Sequence, residues 1–316
     1  MRLSIVTTMY GTASLIGELY GRLCSSAKKL TDDFEIIFVN DGSPDNALEN
    51  AIELQKSDAR IKVVDLSRNF GHHKAVMTGL GQAKGELVFL IDSNLKEDPE
   101  LLKDFYEKLK ESEVDVVFGV QRERQGSLFR KISGALYYSL IRWLSDVQVP
   151  RNLVTVRLMT KRYVKSLLSY REREVYLAGL MLLTGFAQLP LEITRKETGQ
   201  TSYTIRRRIS MMVNAITSLS NKPLIYIFYA GLILILLSIF YILYLVAQWA
   251  FFEVGVPGWT TTVISIFLLS GIIILFQGII GIYLAKIFVE TKQRPYTTIR
   301  AIYDKTFELP SEGGDQ

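Results

Sequence analysis

Apolar and polar positions fall into two regimes along this chain. Over the first 120 residues, short β-branched and aromatic runs at 3–8, 35–40, 61–65, 87–91 and 114–118 alternate with segments at 13–27, 45–55, 72–83 and 99–110. In those segments the apolar positions recur at helical spacing. Such alternation predicts a doubly wound α/β fold, a mostly parallel sheet with helices on both faces, whose ligands sit at the carboxyl ends of the strands. The N-terminal run is too short and too polar for a signal-peptide core and reads as the first strand. Beyond residue 222 the pattern changes: residues 223–252 and 254–285 carry no charged side chain. Each run exceeds the roughly 20 residues a helix needs to cross about 30 Å of hydrocarbon, so two transmembrane helices joined as a hairpin are expected.

Charge sets the orientation of that hairpin. Arg206, Arg207, Arg208 and Lys222 precede the first run, Lys286, Lys292, Arg294 and Arg300 follow the second, and the connection at 253–258 has no basic residue. The excess of cations at both flanks predicts a multi-pass protein of the inner (plasma) membrane with both termini cytoplasmic. Trp249, Phe251, Phe252 and Trp259 suit the opposite interface. Two further segments, 126–147 and 206–220, mix aromatic or apolar residues with cations; the second, beside the first span, is expected to lie along the membrane surface. The net charge of +5 fits nucleic acid, anionic lipid or a phosphorylated ligand. Because the arginines gather beside the spans and the strand-end loops, with no nucleic-acid module in the chain, lipid and phosphorylated ligands are expected and nucleic acid is not. The single cysteine, Cys24, excludes an intrachain disulfide and any cysteine-built metal site, in keeping with a cytosol-facing domain.

Candidate chemistry lies where two predicted strands end in acidic loops, Asn40-Asp41-Gly42-Ser43 and Asp92-Ser93-Asn94. Neither a G-x-G-x-x-G fingerprint nor a P-loop is present, which disfavours ordinary dinucleotide and ATP modules. His72 and His73, adjacent at a helix start, cannot both point one way and are read as structural or ligand-adjacent.

Ser4-Ile5-Val6-Thr7-Thr8-Met9-Tyr10, Phe38-Val39-Asn40-Asp41-Gly42-Ser43, Ser67-Arg68-Asn69-Phe70-Gly71-His72 and Asp92-Ser93-Asn94-Leu95 come in an order and spacing that resembles glycosyltransferase family 2. With Arg157-Leu158-Met159, Gly199-Gln200-Thr201-Ser202-Tyr203 and the hairpin, the chain is similar to the family's polyisoprenyl-phosphate hexosyltransferases, which include undecaprenyl-phosphate glucosyltransferases and dolichyl-phosphate mannose synthases. The resemblance implies a cytoplasmic GT-A-type catalytic domain at 1–195, a donor-closing loop and juxtamembrane helix at 196–222, two transmembrane helices at 223–286 and a cytoplasmic tail at 287–316. It implies inverting transfer of a hexose, glucose favoured, from a UDP-sugar to a polyisoprenyl phosphate at the membrane. Thr8, Tyr10, Asp41, Ser43, Asp92, Ser93, Lys96, Thr201, Ser202 and Tyr203 would hold the donor. Asp92, Asn94, Arg122 and Arg157 would act in catalysis, Arg124, Arg130 and Ser133 on the acceptor phosphate, and Asp92 and Asn94 on a Mg²⁺ or Mn²⁺ ion.

The chain departs from the family pattern in three places. Asn94 replaces the second carboxylate of an Asp-x-Asp motif, Lys96 stands where relatives carry glutamine or an acid, and Thr155 where they often carry an acid. Two readings follow: weak use of a metal with Lys96 approaching the diphosphate as a cation, or a catalytically silent donor-binding scaffold. A processive polysaccharide synthase is disfavoured, since Arg142-Trp143 follows Ser139 instead of glutamine and two spans cannot enclose a polymer. Homo-oligomerisation is left open.

Overall fold

β1 (Leu3–Met9), β2 (Phe34–Asn40) and β3 (Ile61–Leu66) are buried at every position, as strands covered on both faces must be, and this is why they read as near-continuous apolar runs. The protein is a computed structural model that describes residues 2–121, 143–144, 150, 152–196, 213, 216–218, 220–252 and 258–304. α1 (Ile16–Lys28), α2 (Ala47–Ser57), α3 (His72–Gln82) and α4 (Leu101–Glu111) alternate with these strands and with β4 (Leu87–Leu90) and β5 (Val116–Gln121). Alternate side chains of each strand feed opposite cores. Ile5, Phe38 and Phe89 pack with Leu19, Leu23 and Phe105 on one face, and Val6, Val39 and Leu90 pack with Val76, Leu80 and Tyr163 on the other.

β6 (Leu153–Thr160), β7 (Gln188–Ile193) and β8 (Ile299–Tyr303) complete an eight-stranded sheet ordered β7-β5-β6-β4-β1-β2-β3-β8. β1 pairs in parallel with β2 and β4, β2 with β3, and β5 with β7, whereas β6 runs antiparallel to β4 and β5, and β8 antiparallel to β3. The sheet is therefore mixed. α5 (Lys161–Ser169) and α6 (Leu177–Leu183) follow β6. The register Met9↔Asn40 and Val6↔Leu90 aligns the carboxyl ends of β1, β2 and β4, so Thr8, Asp41 and Asp92 leave the sheet at one edge.

β8 lies in the stretch read as a tail. Its pairing Val63↔Tyr303 and Val64↔Ile302 makes it an integral edge strand of the α/β unit, and Thr297 Oγ1 sits 2.8 Å from Thr78 Oγ1 on α3.

A second unit holds α7 (Lys222–Phe252) and α8 (Trp259–Thr291). Both contain stretches long and apolar enough to cross a membrane, Lys222–Tyr241 and Leu268–Thr291, with none of either window buried. Apolar side chains project on all sides, Phe228, Ile233, Phe240, Ile274 and Leu284 among them, which suits lipid and not a soluble core. At one end of the pair Tyr283 Oη donates to the Ser220 carbonyl (2.7 Å) and Lys286 Nζ to Ser218 Oγ (2.7 Å).

Candidate active site

The loops leaving β1, β2 and β4 are stitched to one another by short polar side chains. Ser93 Oγ donates to the Thr8 carbonyl (2.7 Å) and lies 3.0 Å from Thr12 Oγ1. The Gly11 N–H donates to Ser43 Oγ (2.8 Å), Ser43 in turn donates to Asp45, and the Ala13 N–H donates to the other Asp45 oxygen (2.8 Å). Between them Tyr10 leaves its ring 55% exposed, an apolar face at the strand ends on which a base can stack.

Asp41 is almost fully buried and fastens a further loop. Its carboxylate accepts the Phe70 N–H (2.7 Å) and the Gly71 N–H (3.1 Å), so part of its capacity is already spent before any ligand arrives. Burial raises its pKa, opposed by those two N–H groups. Gly42 follows at φ +62°, where a Cβ would stand 2.5 Å from the Asn69 nitrogen. Only glycine lets the two loops approach this closely.

The histidine pair diverges. His73 Nδ1 lies 3.2 Å from the Val175 carbonyl, and its pKa is lowered by desolvation and, after it, by the charge of His72. His72, the first residue of α3, spans two strand ends: Nδ1 is 3.1 Å from Thr8 Oγ1 and Nε2 is 3.6 Å from Asp92 Oδ1. That Asp92 oxygen is buried and accepts no hydrogen bond among the described residues.

After Asp92 the loop turns sharply. Leu95 adopts φ +52°, a conformation that costs a branched side chain of order 1–2 kcal/mol. The turn is closed by Asn94 Oδ1, which accepts the Lys96 N–H (3.0 Å), and the Lys96 carbonyl accepts the Lys196 N–H (2.9 Å). Glu97 is fully buried, its Oε1 2.9 Å from Arg195 Nε in a charge contact that lacks hydrogen-bond alignment. Burial and, after it, the charge of Asp92 hold the Glu97 carboxyl above its ordinary pKa. Asp98 accepts from Lys196 Nζ (2.6 Å) and Arg22 Nη2 (2.6 Å).

On β6, Arg157 is 4% exposed and paired in register with Leu90, two residues before Asp92. Its guanidinium donates to the Thr155 carbonyl (3.0 Å), the Val154 carbonyl (3.1 Å) and Met181 Sδ. No carboxylate lies within ion-pair distance among the described residues. Burial lowers its pKa, with Tyr163 and Asp92 opposing the shift.

At the position expected to hold a divalent cation these residues offer one carboxylate, Asp92, whose Oδ1 accepts no hydrogen bond among the described residues, beside the neutral amide of Asn94. Such an ion needs anionic oxygens, typically one or two carboxylates beside the substrate's phosphates. Here the amide oxygen of Asn94 is engaged by the Lys96 N–H, Glu97 is enclosed against Arg195, and an ammonium stands on the same loop. Among the described residues no group of three His, Cys, Asp or Glu is placed to hold a metal.

The structure thus brings Thr8, Tyr10, Asp41, Ser43, Asp92, Ser93, Asn94, Lys96 and Arg157 to one edge of the sheet. Arg122, Arg124, Arg130, Ser133, Thr201, Ser202 and Tyr203 lie outside the described residues. His72 was read as structural or ligand-adjacent, and Glu97 and Arg195 were not singled out. Glu97 had a local signal, a second carboxylate five residues after Asp92; Arg195 had none.

The glycosyl transferase family 2 description matches residues 4–166. A protein of Mycobacterium tuberculosis named "Putative glycosyltransferases" is 49% identical over 98% of this chain and 92% of its own. The undecaprenyl-phosphate 4-deoxy-4-formamido-L-arabinose transferase of Yersinia pestis is 30% identical over 93% of this chain and 91% of its own. Among solved structures, glucosyl-3-phosphoglycerate synthase of M. tuberculosis, in complex with Mn²⁺, UDP and phosphoglyceric acid, superimposes at a TM-score of 0.46. It is 17% identical, over 68% of this chain and 76% of its own. On the family match and the near full-length relatives, this chain belongs to glycosyl transferase family 2 and is a glycosyltransferase.

Proposed function

We propose that this enzyme transfers a hexose, glucose favoured, from a UDP-sugar to a polyisoprenyl phosphate such as undecaprenyl phosphate. The transfer takes place at the cytoplasmic face of the inner membrane, and α7 and α8 span that membrane. The observation that carries the reading is the pairing of two features in one chain. One is a strand-end site where, among the described residues, an Asp92 oxygen has no hydrogen-bond partner and buried Arg157 has no counter-ion; the other is a pair of helices apolar on every side. The relative from Y. pestis, whose name states an undecaprenyl-phosphate acceptor, supports the acceptor class.

Tyr10 stacks on the nucleobase, and Asp41 holds the neighbouring loop while its remaining lone pairs face the nucleoside. Asp92 accepts hydrogen bonds from the donor sugar, steadied by His72. Thr201, Ser202 and Tyr203 donate to the diphosphate, and Arg122, Arg124, Arg130 and Ser133 gather the acceptor phosphate. A phosphate monoester has a second pKa near 6, so at neutral pH it is already largely dianionic and needs orientation more than a base. One of its oxygens attacks the anomeric carbon opposite the diphosphate. The bond from that carbon to the β-phosphate oxygen breaks, its electron pair leaves with UDP, and the anomeric configuration inverts. Arg157, desolvated and without a carboxylate partner among the described residues, meets the developing negative charge.

A second reading, a donor-binding scaffold that transfers nothing, draws on the engagement of Asn94 by Lys96. Incubating the detergent-purified protein with undecaprenyl phosphate and radiolabelled UDP-hexoses tests both. Label entering the organic phase from one donor supports transfer; UDP binding with no transfer from any donor supports the scaffold.

A further inference from the structure

We infer that Lys96 is the resident cation for the donor's diphosphate, so that the nucleotide is bound without a divalent ion. The inference rests on the donor assignment above and concerns how charge at that site is met.

The loop between Asp92 and Asp98 is built around this lysine. Asn94 stands where the family pattern has a second carboxylate, and its neutral amide oxygen accepts the Lys96 N–H, closing a turn in which buried Leu95 is held left-handed. A strained, buried, non-glycine residue persists only where its surroundings over-determine it. Here the Lys96 N–H and carbonyl are both engaged, the latter by the Lys196 N–H, so the origin of the Lys96 side chain is fixed. The neighbouring charges on the loop cancel in pairs: Glu97 with Arg195, Asp98 with Lys196 and Arg22, and Glu100 with Arg22. Lys96 stands apart. Its ammonium has no carboxylate at ion-pair distance among the described residues, and its side chain is half-buried, four residues beyond the Asp92 that faces His72. A half-buried cation with no ion-pair partner among the described residues, on the loop that also carries the Asp92 oxygen that accepts no hydrogen bond, can meet an anion that arrives there. At the end of β4 that anion is a nucleoside diphosphate, for which an ammonium is a suitable point charge.

The test is calorimetric titration of UDP into the full-length protein in detergent, with Mn²⁺ and separately with excess EDTA. Wild type binds UDP with nearly the same affinity in both. Lys96→Gln weakens UDP in EDTA by about tenfold or more, the loss that accompanies removal of one charge-assisted contact to phosphate. Lys96→Arg, which keeps the charge and controls for folding, retains most of the affinity. Asn94→Asp combined with Lys96→Gln restores binding only with Mn²⁺. Electron paramagnetic resonance gives a readout independent of affinity: wild type with UDP takes up no more Mn²⁺ than UDP alone, and the double variant does. Wild-type affinity that collapses in EDTA while Lys96→Gln binds normally overturns the inference, as does failure of UDP to bind under any condition. EDTA-resistant, Lys96-dependent binding in a protein that transfers no sugar leaves this inference standing and removes the proposed reaction.

Discussion

Gly42→Ala is the perturbation whose cost is most fully set by the geometry. At φ +62° an alanine loses about 1 kcal/mol relative to glycine. Its Cβ would also stand 2.5 Å from the Asn69 nitrogen and 2.6 Å from the Arg68 carbonyl carbon, backbone atoms that no rotamer change can move. To reach ordinary contact near 3.5 Å the 68–71 loop must retreat by about 1 Å. That retreat stretches the Phe70 and Gly71 N–H bonds to Asp41 from 2.7 and 3.1 Å beyond hydrogen-bond range. A buried carboxylate short of its donors costs about 1–3 kcal/mol. The sum, roughly 2–4 kcal/mol, lowers the melting temperature by roughly 5–15 °C for a domain of this size. Scanning fluorimetry of the full-length protein in detergent reads it, with Gly81→Ala as control. Gly81 sits near the end of α3 with nothing within 4 Å of its Cβ and no left-handed φ, so that substitution is neutral or slightly stabilising. A Gly42→Ala protein melting within about 2 °C of wild type would refute the reasoning.

Three further outcomes are expected. Arg157→Met replaces a buried cation, without a counter-ion among the described residues, by an apolar side chain of similar volume; stability holds or rises while sugar transfer falls by about 100-fold or more, and melting and transfer assays on one preparation separate the two. Arg195→Met is more damaging to stability than Glu97→Gln, by roughly 1–3 kcal/mol, because it strands a buried carboxylate. Since the folded pKa of Glu97 is raised, the stability it contributes is present below its unfolded value near 4.5 and is lost as the pH rises through the folded value, so the Arg195→Met deficit grows from acid to neutral pH in a series of melts. Asp58, bonded to Arg60 and to Tyr20 Oη, has the opposite sign. Its folded pKa is depressed chiefly by Arg60, so its contribution is present above the unfolded value near 3.8 and lost as the pH falls. Asp58→Asn costs roughly 1–2 kcal/mol at pH 7, and the gap to wild type narrows progressively below about pH 4.

The first half of the sheet was legible because its signals are local. β1 to β4 are short apolar runs bounded by turn residues, their helices have one apolar face, and the loops after β1, β2 and β4 carry the acidic and hydroxyl residues that mark a ligand edge. β6 was visible only as an Arg157 motif, since its eight residues mix two threonines and an arginine with apolar positions. β8 gave no warning. Five residues beyond α8, Ile299–Tyr303, pair with a strand more than 230 positions earlier, and nothing in their composition states that partner. The same holds in the site. Asp92, Asn94 and Lys96 are neighbours in sequence, whereas Arg195 meets Glu97 across 98 positions and His72 meets Asp92 across 20. That Asn94 turns the loop toward Lys96 depends on Leu95 being left-handed, a backbone choice leucine itself does not announce.

The most direct test of the proposed reaction follows both products at once. Full-length protein in detergent is mixed with one UDP-hexose at a time, with and without undecaprenyl phosphate, and UDP release and lipid-linked sugar are quantified together. The expected result is one UDP released per sugar entering the lipid, for one favoured hexose, with release falling to background when the lipid is omitted. Release of UDP at the same rate without lipid, or no release with any hexose donor, would contradict transfer to a polyisoprenyl phosphate.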